Sequence, residues 1–507
     1  MPPPMNSPST SPARQRADEG CCGVHATAWL VVGSLAAVML LPVLVLRGMS
    51  LDGIIYATVS RNLAVHIGSF WHPVYTAPPT TFYEHPPLAF WLESMWFRVL
   101  GDHWWVERLY SVSTAIPSGW LTVLIWRRLV GDRQPWRQYA WLGVAMWVLM
   151  PAWPWIYRNN FLENTLSVFT LFSVYATVRA MSAARGGLVW TSLAALGIAA
   201  AILTKGPVGL FPLIAPAAFW LAMGGGFGRC AVLVQAGLIA ALVLILAVVF
   251  AQSEPREFFA TYLSQQVFDS LQGQREMTPS PLGRLGLLVG LVQDLWLTAG
   301  IACALVYLHR KQSTSDLPPE LRGAFRFCGM MALAASLPIM ISPKQTAYYA
   351  APSWPLYALT LAAWSCAAVN GLIERASALS RYARWLTLVR RGAIGAVTLA
   401  LLSMPLVFGR YLRDRALIED VDRIGQTVAA HGTVEIGPAL QRSWNLHAYL
   451  FRRHYITLER HWPSADFYLD ALESAPHDAA GRTPGLAGYV LMPRPHIAIA
   501  EKEHEAR

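Results

Sequence analysis

Long apolar runs separated by short polar segments dominate the chain between residues 27 and 409. A run of about 20 apolar residues is long enough to cross the hydrocarbon core of a membrane as a helix. The pattern predicts eleven spans, at 27–47, 106–126, 138–156, 164–183, 188–204, 207–224, 230–251, 286–308, 324–342, 349–369 and 392–409. Segment 87–100 is shorter and more polar but has helical spacing, which predicts a helix lying along the membrane interface. We therefore predict an α-helical polytopic membrane protein with about 11–13 transmembrane helices.

The pattern changes at both ends of the apolar region. After residue 410, strand-like runs at 433–436, 454–458 and 488–492 alternate with helical patterns at 413–430 and 439–452. This alternation predicts a small α/β domain over 411–507. Segment 1–26 is rich in Pro and Ser, which is typical of a disordered tail. The predicted organisation is thus a tail, a membrane domain at 27–410 and a C-terminal domain.

Composition supports the membrane assignment and adds an orientation. The chain is 54% hydrophobic and 14% charged, whereas soluble domains carry roughly 25% charged residues. The net charge of +10 comes largely from arginines in alternate loops, so it indicates cytoplasmic loops rather than a nucleic acid partner. The N-terminal tail is then cytoplasmic, and loops 48–105 and 252–285 and the C-terminal domain lie on the outer face. The six cysteines show no disulfide or metal-binding pattern.

Three ionisable side chains, Asp52, Glu84 and His85, lie in the first outer loop. An acid at the exit of a span can accept the proton of a hydroxyl group, so Asp52 is a candidate general base. Asp is also common at the start of a helix, and capping is the alternative role. His85 precedes Pro86, which favours an extended backbone. His85 can donate to a phosphate group or, together with Glu84, bind a divalent cation.

Further charged and aromatic residues lie at the outer ends of later spans. Glu163 and Arg158 either pair with each other or act in function, because an acid at that depth is costly unless it is paired. Lys205 and Lys344 lie beside prolines in outer turns, where the orientation rule leaves few cations. They are either solvated charges or ligands of an anion. The tyrosine pair that follows Lys344 can belong to an interfacial aromatic belt or donate hydrogen bonds to that anion.

Several short patches occur in order on the predicted outer side. They are 52–57 (DGIIYA), 83–88 (YEHPPL) with Trp91, 158–166 (RNNFLENTL), 204–207 (TKGP), and 342–344 (SPK) with Tyr348, Tyr349 and Pro352. Across residues 28–370 they resemble membrane glycosyltransferases that use polyprenyl-phosphate sugars. The resemblance is strongest to bacterial relatives of dolichyl-phosphate-mannose–protein mannosyltransferases and to the aminoarabinose transferases of lipid A. Gly53 replaces a second acid, His85 replaces a common Lys, and Gln265–Gln266 replaces a Glu–His pair.

This resemblance implies a role for each candidate residue. The catalytic group is Asp52 as general base, with Glu84 and Glu163. The donor phosphate is bound by His85, Arg158, Lys205, Lys344, Tyr348 and Tyr349. No cofactor is indicated apart from a divalent metal ion at Glu84 and His85, which stays open. The glutamines at 265 and 266 weaken the case for a tightly bound metal and for aminoarabinose as the sugar.

The function that the resemblance implies is transfer of a hexosyl or pentosyl group from a polyprenyl-phosphate donor to a lipid, glycan or protein acceptor. The expected location is the bacterial inner membrane, with the active site and the C-terminal domain facing the periplasm. The alternative is a transporter or flippase for a lipid-linked or small solute. Transporters concentrate charges near the bilayer midplane and often contain internal repeats. Here the charges cluster at the outer ends of spans and no repeat is visible.

Overall fold

The computed structural model describes most of the chain, with side chains from residue 23 onward. The described residues are 12–76, 81–131, 135–183, 186–224, 228–269, 272, 285–311, 316–342, 346–462, 464–474 and 483–493. The first nine helices are α1 (Pro12–Leu44), α2 (Leu51–Ala64), α3 (Leu88–Leu100), α4 (Val106–Ser113), α5 (Ala115–Val130), α6 (Ala140–Val148), α7 (Trp153–Arg158), α8 (Leu162–Met181) and α9 (Gly187–Lys205). They are followed by α10 (Ala215–Met223), α11 (Gly228–Phe250), α12 (Ser253–Tyr262), α13 (Gly286–Arg310), α14 (Pro319–Ser336), α15 (Trp354–Ser377) and α16 (Tyr382–Val407).

Eight helical stretches in the described parts of the chain are long and apolar enough to cross a membrane. They are Gly23–Leu44, Val106–Val130, Gly187–Met223, Gly228–Phe250, Gly286–Arg310, Pro319–Ile341, Ala347–Ser377 and Tyr382–Val407. The prediction of a polytopic helical membrane protein is confirmed. Helix α1 begins at Pro12, inside the segment predicted as a tail. Hydropathy marks where a helix enters the apolar phase, whereas polar residues with good helix propensity can extend it outside.

The difference between eight stretches and eleven predicted spans has a physical origin. Segment 138–156 forms the two short helices α6 and α7, with Pro151 in the turn between them. Segment 164–183 corresponds to α8, and most of its residues are buried. Because protein surrounds α8, it can carry polar side chains that lower its hydropathy. The segments 188–204 and 207–224 fall within one apolar stretch.

That stretch is broken at Gly206, where α9 ends and a 3₁₀ segment, Gly206–Ile214, begins. Gly206 has φ +71°, a left-handed conformation that glycine adopts without a steric penalty. The 3₁₀ segment folds back on α9, since a Cβ added at Gly209 would lie 2.7 Å from the carbonyl carbon of Ala201. The chain therefore reverses at Lys205–Pro207, as the two separate predicted spans require.

The C-terminal part contains α17 (Arg415–Thr427), α18 (Trp444–His454) and four strands, β1 (Thr433–Ile436), β2 (Thr457–Glu459), β3 (Phe467–Ala471) and β4 (Tyr489–Pro493). The sheet order is β2-β1-β3-β4; β1 is parallel to β2 and β3, and β4 is antiparallel to β3. The predicted α/β character is confirmed. Strand β3 was not predicted, because Asp470 interrupts its apolar pattern. In the fold Asp470 is buried and accepts the backbone N–H of Ala471.

The C-terminal part packs directly on the first outer loop. The buried Arg452 of α18 donates to Asp102 at 2.6 Å and to Glu107 at 3.0 Å. The fully buried Arg61 of α2 donates to the carbonyl oxygens of Phe451 at 3.1 Å and Arg452 at 3.3 Å, at the end of α18. Although burial favours the neutral acid, Arg452 and Arg61 hold the pKa of Asp102 below its usual value. These contacts fix α18 against the helix that begins beside Asp52.

Candidate active site

Helix α2 presents Asp52 and Tyr56 one turn apart. Asp52 lies in the first turn, but Ser50 is the N-cap residue and makes no side-chain capping bond. The Asp52 carboxylate instead accepts a hydrogen bond of 2.6 Å from the hydroxyl of Tyr348. Residues four apart lie on the same helical face, which brings Tyr56 beside this pair. Burial, together with the nearby Asp52 and Glu163 carboxylates, raises the pKa of Tyr56, so its hydroxyl stays protonated.

Position 53 is a glycine, where the family pattern has an acid, and the reason is steric. A Cβ at this position would overlap the backbone carbonyl oxygen of Asn159. The start of α2 therefore lies against the turn between α7 and α8, and Asn159 accepts the backbone N–H of Ser50 at 3.0 Å. An acidic side chain at position 53 would force these segments apart. Gly53 thus permits the close approach that holds Asp52 beside α8.

Glu84 and His85 reach the same region from the other end of the first outer loop. His85 Nε2 and the Tyr56 hydroxyl share a hydrogen bond of 3.0 Å, and their rings meet edge to face. Glu84 is exposed and His85 is half-buried. Because His85 precedes Pro86, its backbone is restricted near an extended geometry. The loop therefore brings an exposed carboxylate and an imidazole to α2.

Lys205 forms an ion pair that the sequence did not predict. Its ammonium group donates to Oε1 of Glu163, whose side chain is only 1% exposed, and the Lys205 side chain is 10% exposed. The Lys205 ammonium also lies 4.5 Å from the ring centroid of Tyr349, in cation–π contact. Glu163 pairs with Lys205, not with Arg158. The structural alternative, a pair of Glu163 with Arg158, is therefore wrong: the partner of Glu163 lies 42 positions away, and its catalytic role stays a prediction.

These groups line one cavity of about 480 Å³. Its polar lining includes Asp52, Tyr56, Glu84, His85, Lys205, Tyr262, Gln266, Ser342, Thr346, Tyr348 and Tyr349. Its apolar lining includes Leu166, Pro207, Val208, Val267, Pro338, Ile339 and Ile341. Val208 and Ile341 are themselves 37% and 63% exposed. The cavity thus combines titratable groups with an apolar wall that continues to the exposed surface of the helical bundle.

Six of the nine predicted site residues line this cavity. They are Asp52, Glu84, His85, Lys205, Tyr348 and Tyr349, and Glu163 lies directly behind Lys205. Arg158 does not reach it: this residue lines a separate surface pocket with Arg413 and Asp414. The reason is that Arg158 ends α7, whereas Glu163 begins α8 after a turn with Asn160 at φ +52°. Lys344 lies outside the described residues.

The structure adds residues that the sequence analysis missed. Tyr262 lines the cavity from the end of α12, beside Gln266 of a π-helical segment, Leu263–Phe268, which the sequence marked only as a departure from the family pattern. The Tyr262 hydroxyl donates to the carbonyl oxygen of Lys205 at 3.4 Å. π-Helical turns occur frequently at functional sites. Tyr56 could have been found from its i+4 spacing to Asp52, whereas no local signal marks Tyr262.

A buried acid supports the site from behind. Glu93 of α3 accepts hydrogen bonds from Ser60 at 2.7 Å and from Asn160 at 2.8 Å. Asn160 belongs to the α7–α8 turn, so Glu93 ties this turn to α2. Burial raises the pKa of Glu93 to about 8. At neutral pH the protonated acid is therefore favoured, and the charge that would otherwise sit beside the cavity is suppressed.

Metal binding has limited support from the described residues. Among them, no group of three or more His, Cys, Asp or Glu side chains is arranged to hold a metal ion. Glu84, His85 and Gln266 all line the cavity, but the side-chain amide of Gln266 is a weaker metal ligand than a carboxylate or an imidazole. The predicted alternative of a cation at Glu84 and His85 remains a prediction.

A known protein family matches part of the chain, from the loop before α3 to the end of α11. Residues 84–252 match the family model described as dolichyl-phosphate-mannose-protein mannosyltransferase. The match begins at Glu84 and extends beyond Lys205. No protein of curated function matches the chain by sequence. The resemblance predicted from the outer-loop patches is confirmed.

Solved structures with a similar fold include ArnT and an oligosaccharyltransferase. ArnT from Cupriavidus metallidurans, bound to undecaprenyl phosphate, has a TM-score of 0.59 and 17% identity, covering 91% of this chain and 97% of ArnT. Its apo form has the same TM-score at 16% identity, covering 94% and 98%. The apo oligosaccharyltransferase of Archaeoglobus fulgidus has a TM-score of 0.52 and 12% identity, covering 87% of this chain and 65% of that one. The chain therefore has an ArnT-like fold over nearly its whole length.

Proposed function

We propose that this protein transfers a sugar from a polyprenyl-phosphate donor to an acceptor hydroxyl or amine. The observation that carries the proposal is the single cavity that joins Asp52, His85 and Lys205 to an apolar wall. A lipid-linked donor requires both parts, because its phosphate and sugar are polar and its tail is not. Val208 and Ile341, which are lining residues and exposed, offer the tail a path from the bilayer. The similar structure of ArnT is bound to undecaprenyl phosphate, which supports a donor of this class.

The proposed reaction is a single displacement at the anomeric carbon. Asp52 accepts the proton of the acceptor nucleophile as that atom bonds to the anomeric carbon. The bond between this carbon and the phosphate oxygen breaks, and polyprenyl phosphate leaves with the electron pair. The Tyr348 hydroxyl, 2.6 Å from the Asp52 carboxylate, holds this base in a fixed orientation. A positioned general base contributes about 10²–10⁴-fold to the rate.

The charges of the cavity lining determine which further groups must stabilise the departing phosphate. Asp52 and Glu84 bring two carboxylates, and the ammonium of Lys205 is already paired with Glu163. The described lining therefore offers little net positive charge to a phosphate. Lys344, in the predicted patch between Ser342 and Tyr348, is our candidate for the missing cation. We assign His85 and Tyr349 as hydrogen-bonding groups for the phosphate, because the single hydroxyl proton of Tyr348 is already donated to Asp52.

We infer an orientation with this cavity on the outer face of a bacterial inner membrane. The support is the arginine distribution, which favours cytoplasmic loops at 127–137, 179–185 and 375–391. In this arrangement residues 27–410 form the membrane domain and residues 411–507 form a periplasmic domain. The N-terminal segment is cytoplasmic. Whether the transferred group is a hexose or a pentose depends on contacts with a bound sugar.

The test of this function is direct transfer by the purified full-length protein. Radiolabelled polyprenyl-phosphate sugars, each with a different hexose or pentose, are incubated with lipid, glycan and peptide acceptors. We expect one donor to give labelled product, with release of polyprenyl phosphate. Movement of the intact labelled lipid across a vesicle bilayer, without transfer to any acceptor, would instead support the flippase alternative.

A further inference from the structure

A second cavity, of about 300 Å³, lies between the C-terminal domain and the first outer loop. It opens where the parallel strands β1 and β2 end, since its lining includes Ile436 and Glu459, the last residues of these strands. Ligands of open α/β sheets commonly bind outside the carboxyl ends of parallel strands. The volume is at the lower end of the range of about 300–1,000 Å³ for small-molecule sites. This cavity is separate from the candidate active site.

The chemistry of the lining is that of a carbohydrate site. Trp444, the first residue of α18, is 55% exposed although it is large and apolar. Its indole lies beside the His447 imidazole, with ring centroids 5.9 Å apart. The faces of a sugar ring carry C–H groups that pack on an indole, while its hydroxyl groups need planar hydrogen-bonding partners. Gln441 and Arg460, which are 3.0 Å apart in a hydrogen bond, supply such partners.

The charge balance favours a neutral ligand. Glu459 and Arg460 are the acidic and basic residues of the lining, and their charges cancel. Burial lowers the pKa of His447, although the hydrogen bond between its Nε2 and the carbonyl oxygen of Leu440 acts in the opposite direction, so the neutral imidazole is favoured. A phosphorylated ligand would require an excess of cations. A hydroxyl-rich neutral ligand requires only the aromatic surface and the amide and guanidinium groups.

One segment of the chain, between Pro73 and Glu84, contributes lining residues to both cavities. Tyr75 lines the second cavity, and its ring packs 6.2 Å from Phe82 and 6.3 Å from Phe451. An antiparallel bridge joins Val74 to Thr81, and the backbone N–H of Phe82 donates to the carbonyl of Pro73 at 2.7 Å. Glu84, which lines the candidate active site, follows only two residues later. One short segment of the chain therefore carries a lining residue of each cavity, Tyr75 and Glu84, and connects the two sites.

We propose that the cavity at Trp444 binds a saccharide portion of the acceptor, with Trp444 as the stacking surface and Gln441 and Arg460 as hydrogen-bonding partners. Naming this saccharide as part of the acceptor rests on the proposed glycosyltransferase function. The site selects acceptors by their sugars at a distance from the reacting atom. The C-terminal domain therefore takes part in acceptor recognition.

The test is a binding titration on the full-length protein in lipid nanodiscs. Saturation-transfer NMR with mannotriose and chitotriose, and with a Ser/Thr-rich peptide as the non-sugar probe, measures each dissociation constant. We expect one trisaccharide to bind the wild type and Trp444→Ala to weaken it at least about 10-fold, as the loss of an aromatic side chain that the ligand covers does. Trp444→Phe keeps a stacking ring and should retain most of the affinity. Trp462→Ala removes another exposed indole of this domain, outside the cavity, and is the matched control.

The outcomes separate this inference from the proposed function. Asp52→Asn, which should transfer sugar roughly 10²–10⁴-fold more slowly, should bind the trisaccharide as tightly as the wild type. Binding that depends on Trp444 in a protein without transferase activity would contradict the function and leave the saccharide site intact. The inference is overturned if only the peptide binds, if neither trisaccharide binds, or if Trp444→Ala and Trp462→Ala have equal effects.

Discussion

Replacing Lys205 alone should destabilise the protein, because it would leave Glu163 as an unpaired carboxylate with a side chain only 1% exposed. Breaking a buried ion pair by removing one partner costs about 3–5 kcal/mol, whereas replacing both partners by neutral residues of similar size is often neutral or stabilising. We therefore expect Lys205→Met to lower thermal stability strongly. The double variant Glu163→Gln, Lys205→Met should recover most of this loss. Neither expectation follows from the sequence, in which Lys205 is a cation in an outer turn.

The assay is thermal aggregation of the solubilised protein, followed by size-exclusion chromatography, for the wild type, both single variants and the double variant. Transfer activity is then measured at equal amounts of folded protein. If Lys205 also stabilises the departing phosphate, the stable double variant should transfer sugar roughly 10–100-fold more slowly, as the loss of one charge-assisted bond predicts. A double variant as unstable as Lys205→Met would refute the buried-pair reasoning. A fully active double variant would limit Lys205 to a structural role.

Three other predictions address orientation, charge and pH. Reporter fusions after positions 75, 270 and 420 should report the outer side and those after 131, 315 and 385 the cytoplasm; a cytoplasmic signal at 420 would contradict the periplasmic C-terminal domain. Lys344→Ala should lower transfer roughly 10–100-fold, whereas Lys311→Ala, in a predicted cytoplasmic loop, should not. If a chelator abolishes transfer and Lys344→Ala does not affect it, a divalent cation, and not Lys344, supplies the positive charge for the phosphate. Burial raises the folded-state pKa of Glu93 to about 8, so the contribution of this acid to stability should be lost as pH rises through about 8. Glu93→Gln should remove this pH dependence, and thermal denaturation between pH 5 and 9 measures it.

The sequence predicted the helical membrane fold because hydropathy reports the environment of each segment directly. It predicted more crossing segments than the eight apolar stretches of the described residues, because the buried helix α8 carries polar side chains, a proline separates α6 from α7, and one stretch contains two predicted segments. It also predicted most of the C-terminal strands. The strand containing Asp470 was missed, since a buried acid breaks the apolar alternation on which the prediction depends.

The sequence predicted most residues of the candidate site but not which of them contact each other. Asp52 and Tyr348 are 296 positions apart, and Glu163 and Lys205 are 42 apart. Spacing along a chain cannot reveal such contacts, because they depend on how the helices pack. Arg158 shows the opposite failure: proximity to Glu163 in the sequence suggested a shared site, yet the α7–α8 turn directs it to another surface. The contact of Arg452 with Asp102 likewise had no local signal.

In the proposed mechanism Asp52 is the base of a sugar transfer from a polyprenyl-phosphate donor. The most direct measurement compares the rate of product formation by purified wild type and Asp52→Asn at saturating donor and acceptor. Asn keeps the size of Asp and can still accept the hydrogen bond from Tyr348, but it cannot take up the proton. We predict a loss of roughly 10²–10⁴-fold with unchanged thermal stability. Near wild-type turnover by Asp52→Asn would contradict the account.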